Sequence, residues 1–320
     1  MIPRRALAAL AVTPAMAVAQ TAFPTRPVTL VVPGAPGGGG DFTARLLAEG
    51  LARPLGQSVV VENRTGGSGN VAAHHVARAA PDGHTLLLAY SGTHVANPAL
   101  FQNLGWDPIR SFEPVALLLT APHVVTARPD LPARDLAELV ALARQSRQPL
   151  TYASSGVGSI QHIAGARLAR LAGAEMTHVP YRGAGPAMSD LMAGRVDLLI
   201  TTPPAITGQL QAGAVRALAI TSARRHPMLP AVPTAAEAGL PGFEFEAWFA
   251  VYAPAGTPPE AVARLARDIG AVAATEEFRR RSEDAGTYVT VMDPSALAAF
   301  TRSELDRWSG IIREAGIRIE

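Results

Sequence analysis

The chain has 320 residues, of which 48% are hydrophobic and 17% charged, so it can bury the core of one large or two medium domains. It contains no cysteine and no lysine, which excludes disulfides, thiolate metal sites, Schiff-base catalysis and the phosphate-binding lysine of a P-loop. The net charge of +2 and the aromatic content of 5% give no indication of a nucleic-acid surface.

The first nineteen residues have the pattern of a secretory signal peptide. Arg4 and Arg5 form a positive start, residues 6–18 are mostly apolar, and Ala17-Val18-Ala19 is a small-x-small cleavage site. The apolar run is too short to span a bilayer, and a buried N-terminal helix is the alternative. We therefore expect export to the periplasm, by the general or the twin-arginine route, with cleavage before Gln20.

Strand-like and helix-like segments alternate from residue 28 onward. Strands are predicted at 28–34, 58–64 and 84–90, and helices at 41–56 and 69–80. This order of strand, helix and strand predicts parallel βαβ units.

Two strand-rich segments, at 112–132 and 243–258, are predicted to cross between two domains. A second α/β unit lies between them, with strands predicted at 150–156, 176–181 and 197–204, helices at 134–147, 159–174 and 183–196, and a short helix and strand within 208–221. The remaining chain is mostly helical, with one short strand at 288–292. The predicted domains are residues 20–122 together with 247–320, and residues 123–246.

The glycine-rich turn before the first helix does not have the sequence of a nucleotide-binding loop. Gly34 and Gly39 have the spacing of a P-loop, but Gly40 and Asp41 stand where a lysine and a hydroxyl residue are required. A glycine pattern at 67–72 formally matches a dinucleotide fingerprint, but no acidic residue ends the strand that follows it. No histidine pair has metal-ligand spacing. We therefore expect no cofactor and no metal.

Glycine-rich turns at 34–40 and 156–158 each lead directly into a predicted helix. The first N–H groups of a helix have no internal partner and carry a partial positive charge, and glycine lets a ligand approach the backbone closely. Two such helix ends, one in each domain, are predicted to hold an anion; the alternative is that both turns only connect a strand to a helix. Gly39 and Gly40 are predicted to adopt positive φ, so valine at either position is expected to cripple binding. The polar candidates are Asp41, Ser154, Ser155, Ser159, Gln161 and His162 near these turns, and Ser91, Thr93 and His94 in a turn predicted after the third strand.

Eight stretches of the chain match, in order, the sequence pattern of one known family. They are "PVTLVVPGAPGGGGDFTARLLA", "GQSVVVENRTGGSGNVAA", "AAPDGHTLLLAYSGTHVANPAL", "FEPVALL", "LTYASSGVGSIQHIAG", "HVPYRGAGPAMSDLMAGRVDLL", "VRALAITSARRHPMLPAVPTAAEAGLPGFE" and "FAVYAPAGTP". Over nearly the whole mature length, the chain resembles the substrate-binding proteins of tripartite tricarboxylate transporters, the Bug family of periplasmic receptors. The resemblance implies an α/β fold of two domains in a clam-shell of the type II periplasmic-binding-protein kind, joined by two crossing strands, with the ligand in the cleft. It also implies binding without catalysis and delivery of a small carboxylate to a membrane permease.

The resemblance also implies where the ligand is held. In the family, loops that match Gly34–Asp41 and Ser154–His162 hold a carboxylate, largely through main-chain amides and ordered waters. The resemblance therefore adds to the candidate site Gly34, Ala35, Gly38, Gly39 and Gly40, Tyr181, Arg182 and Gly183 of the "YRGAGPA" turn, and Thr201 and Thr202 at a strand end.

Two positions depart from the family pattern. Gly34 stands where many members carry an aromatic residue, which implies a wider mouth or the loss of a ring that packs on the ligand. Thr201 and Thr202 stand where many members have an acidic–amide pair, so a partner for an ammonium group is missing. We therefore expect a ligand without a cationic group: a plain mono- or dicarboxylate, aromatic acids included.

Two classes of function follow from these observations. The first is a receptor that closes on its ligand and delivers it to permease subunits or a sensor kinase; we expect a monomer without a nucleic-acid partner. The second is an α/β enzyme acting on a small organic acid, which needs an acid–base pair in the cleft. Asp41 beside His162 or His94 is the candidate pair, although Asp41 is also predicted to be the N-cap of its helix.

Overall fold

The computed structural model describes residues 23–318, so the signal peptide predicted at residues 1–19 lies outside the described chain. The described strands are β1 (Val28–Val32), β2 (Val59–Asn63), β3 (Thr85–Tyr90), β4 (Phe112–Pro122), β5 (Val124–Ala127), β6 (Leu150–Ser154), β7 (Met176–Pro180), β8 (Leu198–Thr201), β9 (Arg216–Ile220), β10 (Glu246–Pro254) and β11 (Tyr288–Met292). The described α-helices are α1 (Gly39–Leu55), α2 (Asn70–Ala77), α3 (Asn97–Leu100), α4 (Leu136–Gln145), α5 (Ile160–Ala172), α6 (Ala184–Met192), α7 (Thr207–Gln211), α8 (Pro259–Ala273), α9 (Glu276–Asp284) and α10 (Pro294–Glu314). The predicted strands and helices of both units are present at nearly the expected bounds.

Two β-sheets form the centres of two lobes. The first sheet has the order β11-β4-β10-β3-β1-β2, and the second has the order β7-β6-β8-β5-β9. In each sheet three neighbouring strands are parallel, β2, β1 and β3 in the first and β7, β6 and β8 in the second, as the βαβ rhythm predicts. The strands β4, β10 and β11 add an antiparallel half to the first sheet, and β5 and β9 do the same in the second.

The chain passes between the lobes twice. It leaves the first sheet at the end of β4, continues through His123 into β5, and returns from β9 to β10. Thr221 ties the two passages together, since its hydroxyl accepts from the backbone N–H of His123 at 2.8 Å and donates to the carbonyl oxygen of Phe245 at 2.6 Å. The two crossing strands are therefore present, while the domain boundaries at 122/123 and 246/247 stay predictions.

A buried carboxylate joins the C-terminal helix to a crossing strand. Glu304 on α10 accepts from the indole nitrogens of Trp248 on β10 and Trp308 on α10, at 3.0 Å in both cases. Arg307 pairs with the same carboxylate at 2.7 Å. Because buried indole N–H groups need an acceptor, Glu304 fixes the position of α10 on β10.

Residues 91–100 are helical, so the turn predicted after the third strand is wrong. A π-helical turn, Gly92–Ala96, leads directly into α3. Val95, Ala96 and Leu100 are buried in the core, and their helical spacing places them on one face. Their burial outweighs the turn preference of the preceding polar residues. Within residues 23–318, no helix has both the length and the apolar content required to cross a membrane.

Candidate functional site

A cleft of about 490 Å³ lies between the two lobes, which is a typical volume for a small-molecule site. Two parallel strands of each sheet, β1 and β3 in the first and β6 and β8 in the second, end at this cleft. Residues at or just after their carboxyl ends line it: Val32, Tyr90, Ser155 and Thr202. The edge of a parallel sheet where the strands end is the usual ligand position in α/β proteins. The topology therefore brings residues far apart in sequence to one place.

The cleft contains ten of the nineteen residues predicted for the site. The predicted residues that line it are Gly34, Ala35, Gly38, Gly39, Gly40, Asp41, Ser155, Ser159, Gln161 and Thr202. The predicted residues outside its lining are Ser91, Thr93, His94, Ser154, His162, Tyr181, Arg182, Gly183 and Thr201. Both predicted glycine-rich loops thus contribute to one cleft.

The first helix begins at the cleft without a side-chain cap. Gly38 is its N-cap and has no side-chain hydrogen bond to offer, so the amides of the first turn are left for another acceptor. Gly39 and Gly40 have helical backbone, and the positive φ predicted for them is wrong; the positive φ of +82° belongs to Gly37. Space restricts Gly40, because a Cβ there would lie 3.3 Å from Val32 Cγ1.

Asp41 is the third residue of α1, so the prediction that it is the N-cap is wrong. Its carboxylate accepts from the side chain of Arg45 at 3.0 Å and from the backbone N–H of Gly37 at 2.9 Å. These two hydrogen bonds, that of Arg45 first, hold the pKa of Asp41 at about 2. The carboxylate is therefore ionised at neutral pH, shapes the glycine loop, and is charge-paired with Arg45.

The second loop leads into α5, whose N-cap is Ser159. The Ser159 hydroxyl accepts from the backbone N–H of His162 at 3.3 Å, which leaves the N–H groups of Ile160 and Gln161 without an intrahelical partner. The side-chain oxygen of Gln161 accepts from the Ser155 hydroxyl at 2.9 Å. Two helix N-termini from different lobes therefore border the same cleft.

The wall of the cleft is formed by residues that the sequence patterns did not predict. Tyr90 and Phe249 contribute two rings whose centroids are 6.5 Å apart. The other missed lining residues are Val32, Pro33, Leu88, Ala121, His123, Ile160, Ala247, Ala285, Gly286 and Thr287. Tyr90 ends a predicted strand, which is a usable signal. Phe249 has no such signal, because both faces of β10 are largely apolar and buried.

The lobes touch at the edge of the cleft. Gly286 in the first lobe, with φ of +75°, lies against Pro203 and Pro204 in the second. A Cβ on Gly286 would collide with the ring of Pro204 and lie 3.5 Å from the Cβ of Pro203. A side chain at this position would therefore push the lobes apart.

His94 lies in the core, so its predicted place in the cleft is wrong. Its ring stacks on Tyr252 with the centroids 4.1 Å apart, and its Nε2 is 3.1 Å from the carbonyl oxygen of Pro108. Burial lowers the pKa of His94 to about 3. Ser91 and Thr93 are also fully buried, because residues 91–100 are helical and turn these side chains inward.

Two more of the predicted residues outside the cleft are held within the second lobe. The Tyr181 hydroxyl donates to Asp190 at 2.8 Å, and Thr201 is buried in β8. Within residues 23–318, Asp41 forms no hydrogen bond with His94 or with His162, so neither acid–base pair proposed for an enzyme is present.

The cleft contains little side-chain charge. Among the described lining residues, Asp41 is the one carboxylate and no arginine is present. Burial lowers the pKa of His123 to about 4, so this imidazole is neutral at pH 7. At Gly34, where many family members have a ring, an added Cβ would meet no atom within 4 Å. No cluster of three or more His, Asp or Glu residues in the described chain has an arrangement suited to a metal ion.

Comparisons with known proteins agree with this architecture. The family described as "Tripartite tricarboxylate transporter family receptor" matches residues 43–317. Protein BugT of Bordetella pertussis is 34% identical over 299 residues, which cover 93% of this chain and 92% of BugT. The solved structure of Rpa4515 from R. palustris with adipate has 38% identity and a TM-score of 0.81, covering 93% of this chain and 100% of that one. MatC from Rhodopseudomonas palustris with bound malate has 39% identity and a TM-score of 0.76, covering 91% and 100%.

These similarities confirm both the family resemblance and the two-domain α/β fold of the periplasmic-binding-protein kind. The match covers both lobes and the two crossing strands. The chain therefore belongs to the solute-binding receptors of the tripartite tricarboxylate transporter family.

Proposed function

We propose that the protein is a periplasmic solute receptor that binds a small carboxylate in the cleft between its lobes, through main-chain amides of α1 and α5. The observation that carries this proposal is the convergence of two helix N-termini on one cleft whose described lining has no cationic side chain. Helix N-termini attract anions because their unpaired N–H groups and the helix dipole both present partial positive charge.

The lining also restricts the body of the ligand. Tyr90, Phe249 and Leu88 provide an apolar surface beside the helix ends. The one lining carboxylate, Asp41, is already paired with Arg45, so no free acidic group is left for an ammonium group. Rpa4515 and MatC have adipate and malate bound, and both are dicarboxylates without a cationic group. We infer a mono- or dicarboxylate, aromatic acids included.

Binding from both lobes gives the receptor its conformational response. A ligand that contacts α1 in one lobe and α5 in the other interacts with both only when the lobes are close. It therefore stabilises the closed form by its differential affinity for that form. A closed, monomeric receptor of this kind delivers its ligand to permease subunits or to a sensor kinase.

Titration calorimetry with a panel of acids tests this proposal. The panel contains adipate, malate and benzoate, with glycine and glutamate as amino-acid controls. We expect at least one acid to bind, neither amino acid to bind, and the bound acid to be recovered unchanged. Tight binding of an amino acid alone, or recovery of a chemically altered acid, would contradict the proposal.

A thermal or chemical denaturation series gives an independent measurement. A ligand at 100 times its dissociation constant should raise the free energy of unfolding by about 2.7 kcal/mol, because it binds only the folded protein. An acid that gives a calorimetric signal without this stabilisation would not be bound at a specific folded site.

A further inference from the structure

Two stacked imidazoles lie behind the second loop. His162 on α5 and His178 on β7 have ring centroids 3.7 Å apart and planes within 5°. Tyr152 on β6 stacks on His178 with its centroid 5.2 Å away. Neither histidine lines the cleft, so a direct ligand contact does not explain the stack.

His162 accepts a hydrogen bond from the loop. The backbone N–H of Gly158 donates to His162 Nδ1 at 3.1 Å. Because that nitrogen accepts, it carries no proton, and the neutral ring has its proton on Nε2. A second proton on His162 would occupy Nδ1 and replace an attractive contact with a repulsive one.

His178 holds the loop through a hydroxyl. Ser154 Oγ lies 3.0 Å from the carbonyl oxygen of Gly156 and accepts from the Gly156 N–H at 3.1 Å. Ser154 Oγ also lies 2.6 Å from His178 Nε2, and this hydrogen bond joins the second ring to the same loop. Because a hydroxyl can both donate and accept, the hydrogen bond between Ser154 and His178 persists if His178 gains a proton. The Gly158 N–H can only donate, so His162 is the acid-sensitive member of the pair.

We propose that His162 and His178 are a positioning pair that holds residues 154–159 in the shape that presents the α5 amides to the carboxylate, and that acid releases the loop by protonating His162. This inference rests on the proposed function, since the loop shape affects binding only if the cleft holds an anion at α5. The structural basis is the shared hydrogen-bond network of the two rings and the loop backbone.

The surroundings of the pair favour the neutral rings. Burial, and then the neighbouring His178, lower the pKa of His162 to about 4, and burial lowers the pKa of His178 as well. Burial raises the pKa of Tyr152 to about 12, so it stays uncharged. No ion pair to either imidazole occurs within the described chain.

The charged groups that other elements bring to α5 lie away from the pair. Arg144 of α4 donates to the carbonyl oxygen of Ala172, and Glu314 of α10 pairs with Arg170, both at the opposite end of the helix. Arg167 donates to the carbonyl oxygen of Gly242.

The lowered pKa of His162 makes stability depend on pH. Its ordinary value is 6.5 and its value in the folded protein is about 4, so the unfolded chain binds more protons than the folded one between these values. Stabilisation by His162 is therefore lost as the pH falls through that window.

NMR of the ligand-free protein tests the proposal without any cargo. The amide proton of Gly158 is followed from about pH 7.5 to about pH 3.5 in the wild type, His162→Phe and His162→Asn. Phenylalanine keeps a stacked ring without an acceptor, whereas asparagine places an acceptor oxygen close to the Nδ1 position without titrating in this range. We expect the wild-type amide to shift with a midpoint near 4, His162→Asn to lose that midpoint, and His162→Phe to show the acid position at every pH.

Binding of adipate gives the second readout. At neutral pH, His162→Phe should bind adipate about tenfold more weakly than the wild type, and His162→Asn within about twofold, because one loop hydrogen bond separates the two variants. A Gly158 amide that is identical in the wild type and His162→Phe, or that titrates near 6.5, would overturn the proposal. If wild-type protein does not bind adipate, the amide titration alone decides the positioning role, while the acid panel decides the proposed function.

Discussion

Replacement of Gly39 tests whether the amides of α1 hold the ligand. Gly39 is the first residue of α1 and lines the cleft, and an added Cβ would lie 3.6 Å from Phe249 Cζ. That separation is an ordinary van der Waals contact, so alanine fits without movement of the backbone. Because alanine has the higher helix propensity, Gly39→Ala should leave the free energy of unfolding unchanged or raise it by up to about 1 kcal/mol.

The same methyl group should weaken binding. It would lie in the cleft beside the amides that we propose to bind the carboxylate, and it would occupy space that the ligand needs. Loss of one hydrogen bond to a charged group costs about 1.5–3 kcal/mol, which corresponds to roughly 10- to 150-fold weaker binding. Valine at Gly39, with two more carbons, should weaken binding further.

The assay compares affinity with stability in the same variants. Calorimetry with the acid that binds best in the panel measures affinity, and urea denaturation measures the free energy of unfolding. Gly270→Ala on α8 is the matched control, since an added Cβ there meets no atom within 4 Å and the residue lies outside the cleft. The control should keep wild-type affinity. A folded Gly39→Val variant with wild-type affinity would refute the reasoning.

Three further variants test the lobe contact, the loop carboxylate and the buried acceptor. Gly286→Ala should weaken carboxylate binding by holding the lobes apart, whereas Gly242→Ala, also at positive φ but with no atom within 4 Å of the added Cβ, should reduce stability alone. Calorimetry measures the affinity of both variants, and wild-type affinity in Gly286→Ala would contradict the predicted effect of the contact between the lobes. Asp41→Asn should remove the loss of stability between about pH 4 and about 2, because the folded pKa of about 2 lies below the usual 3.8 and its contribution disappears as the pH falls through that value. Urea midpoints across this range measure the change, and an unchanged pH dependence would count against it. Glu304→Ala should lower the free energy of unfolding by about 2–5 kcal/mol, because two buried indole N–H groups lose their acceptor. Glu304→Gln should lose less in the same tryptophan-monitored denaturation, and equal losses would exclude the hydrogen-bond explanation.

Local patterns in the sequence determined the order of the elements. Hydrophobic periodicity placed the strands and helices of both units, and β11 lies at the predicted residues 288–292. Glycine and serine turns marked the beginnings of α1 and α5, so the places in the chain of the two loops that border the cleft were predictable. These features were predictable because they depend on residues that are near one another in the chain.

The tertiary structure alone decided which side chains reach the cleft. Residues 91–100 became a helix that buries His94, and the partners of Asp41 are Gly37 and Arg45 rather than a histidine. Phe249 and Gly286 come to the cleft from segments more than 150 residues away from the first loop. Such placements depend on strand order, on the pairing of β10 with β3 and β4, and on the approach of two lobes. They arise from contacts between residues distant in sequence, on which a local pattern carries no information.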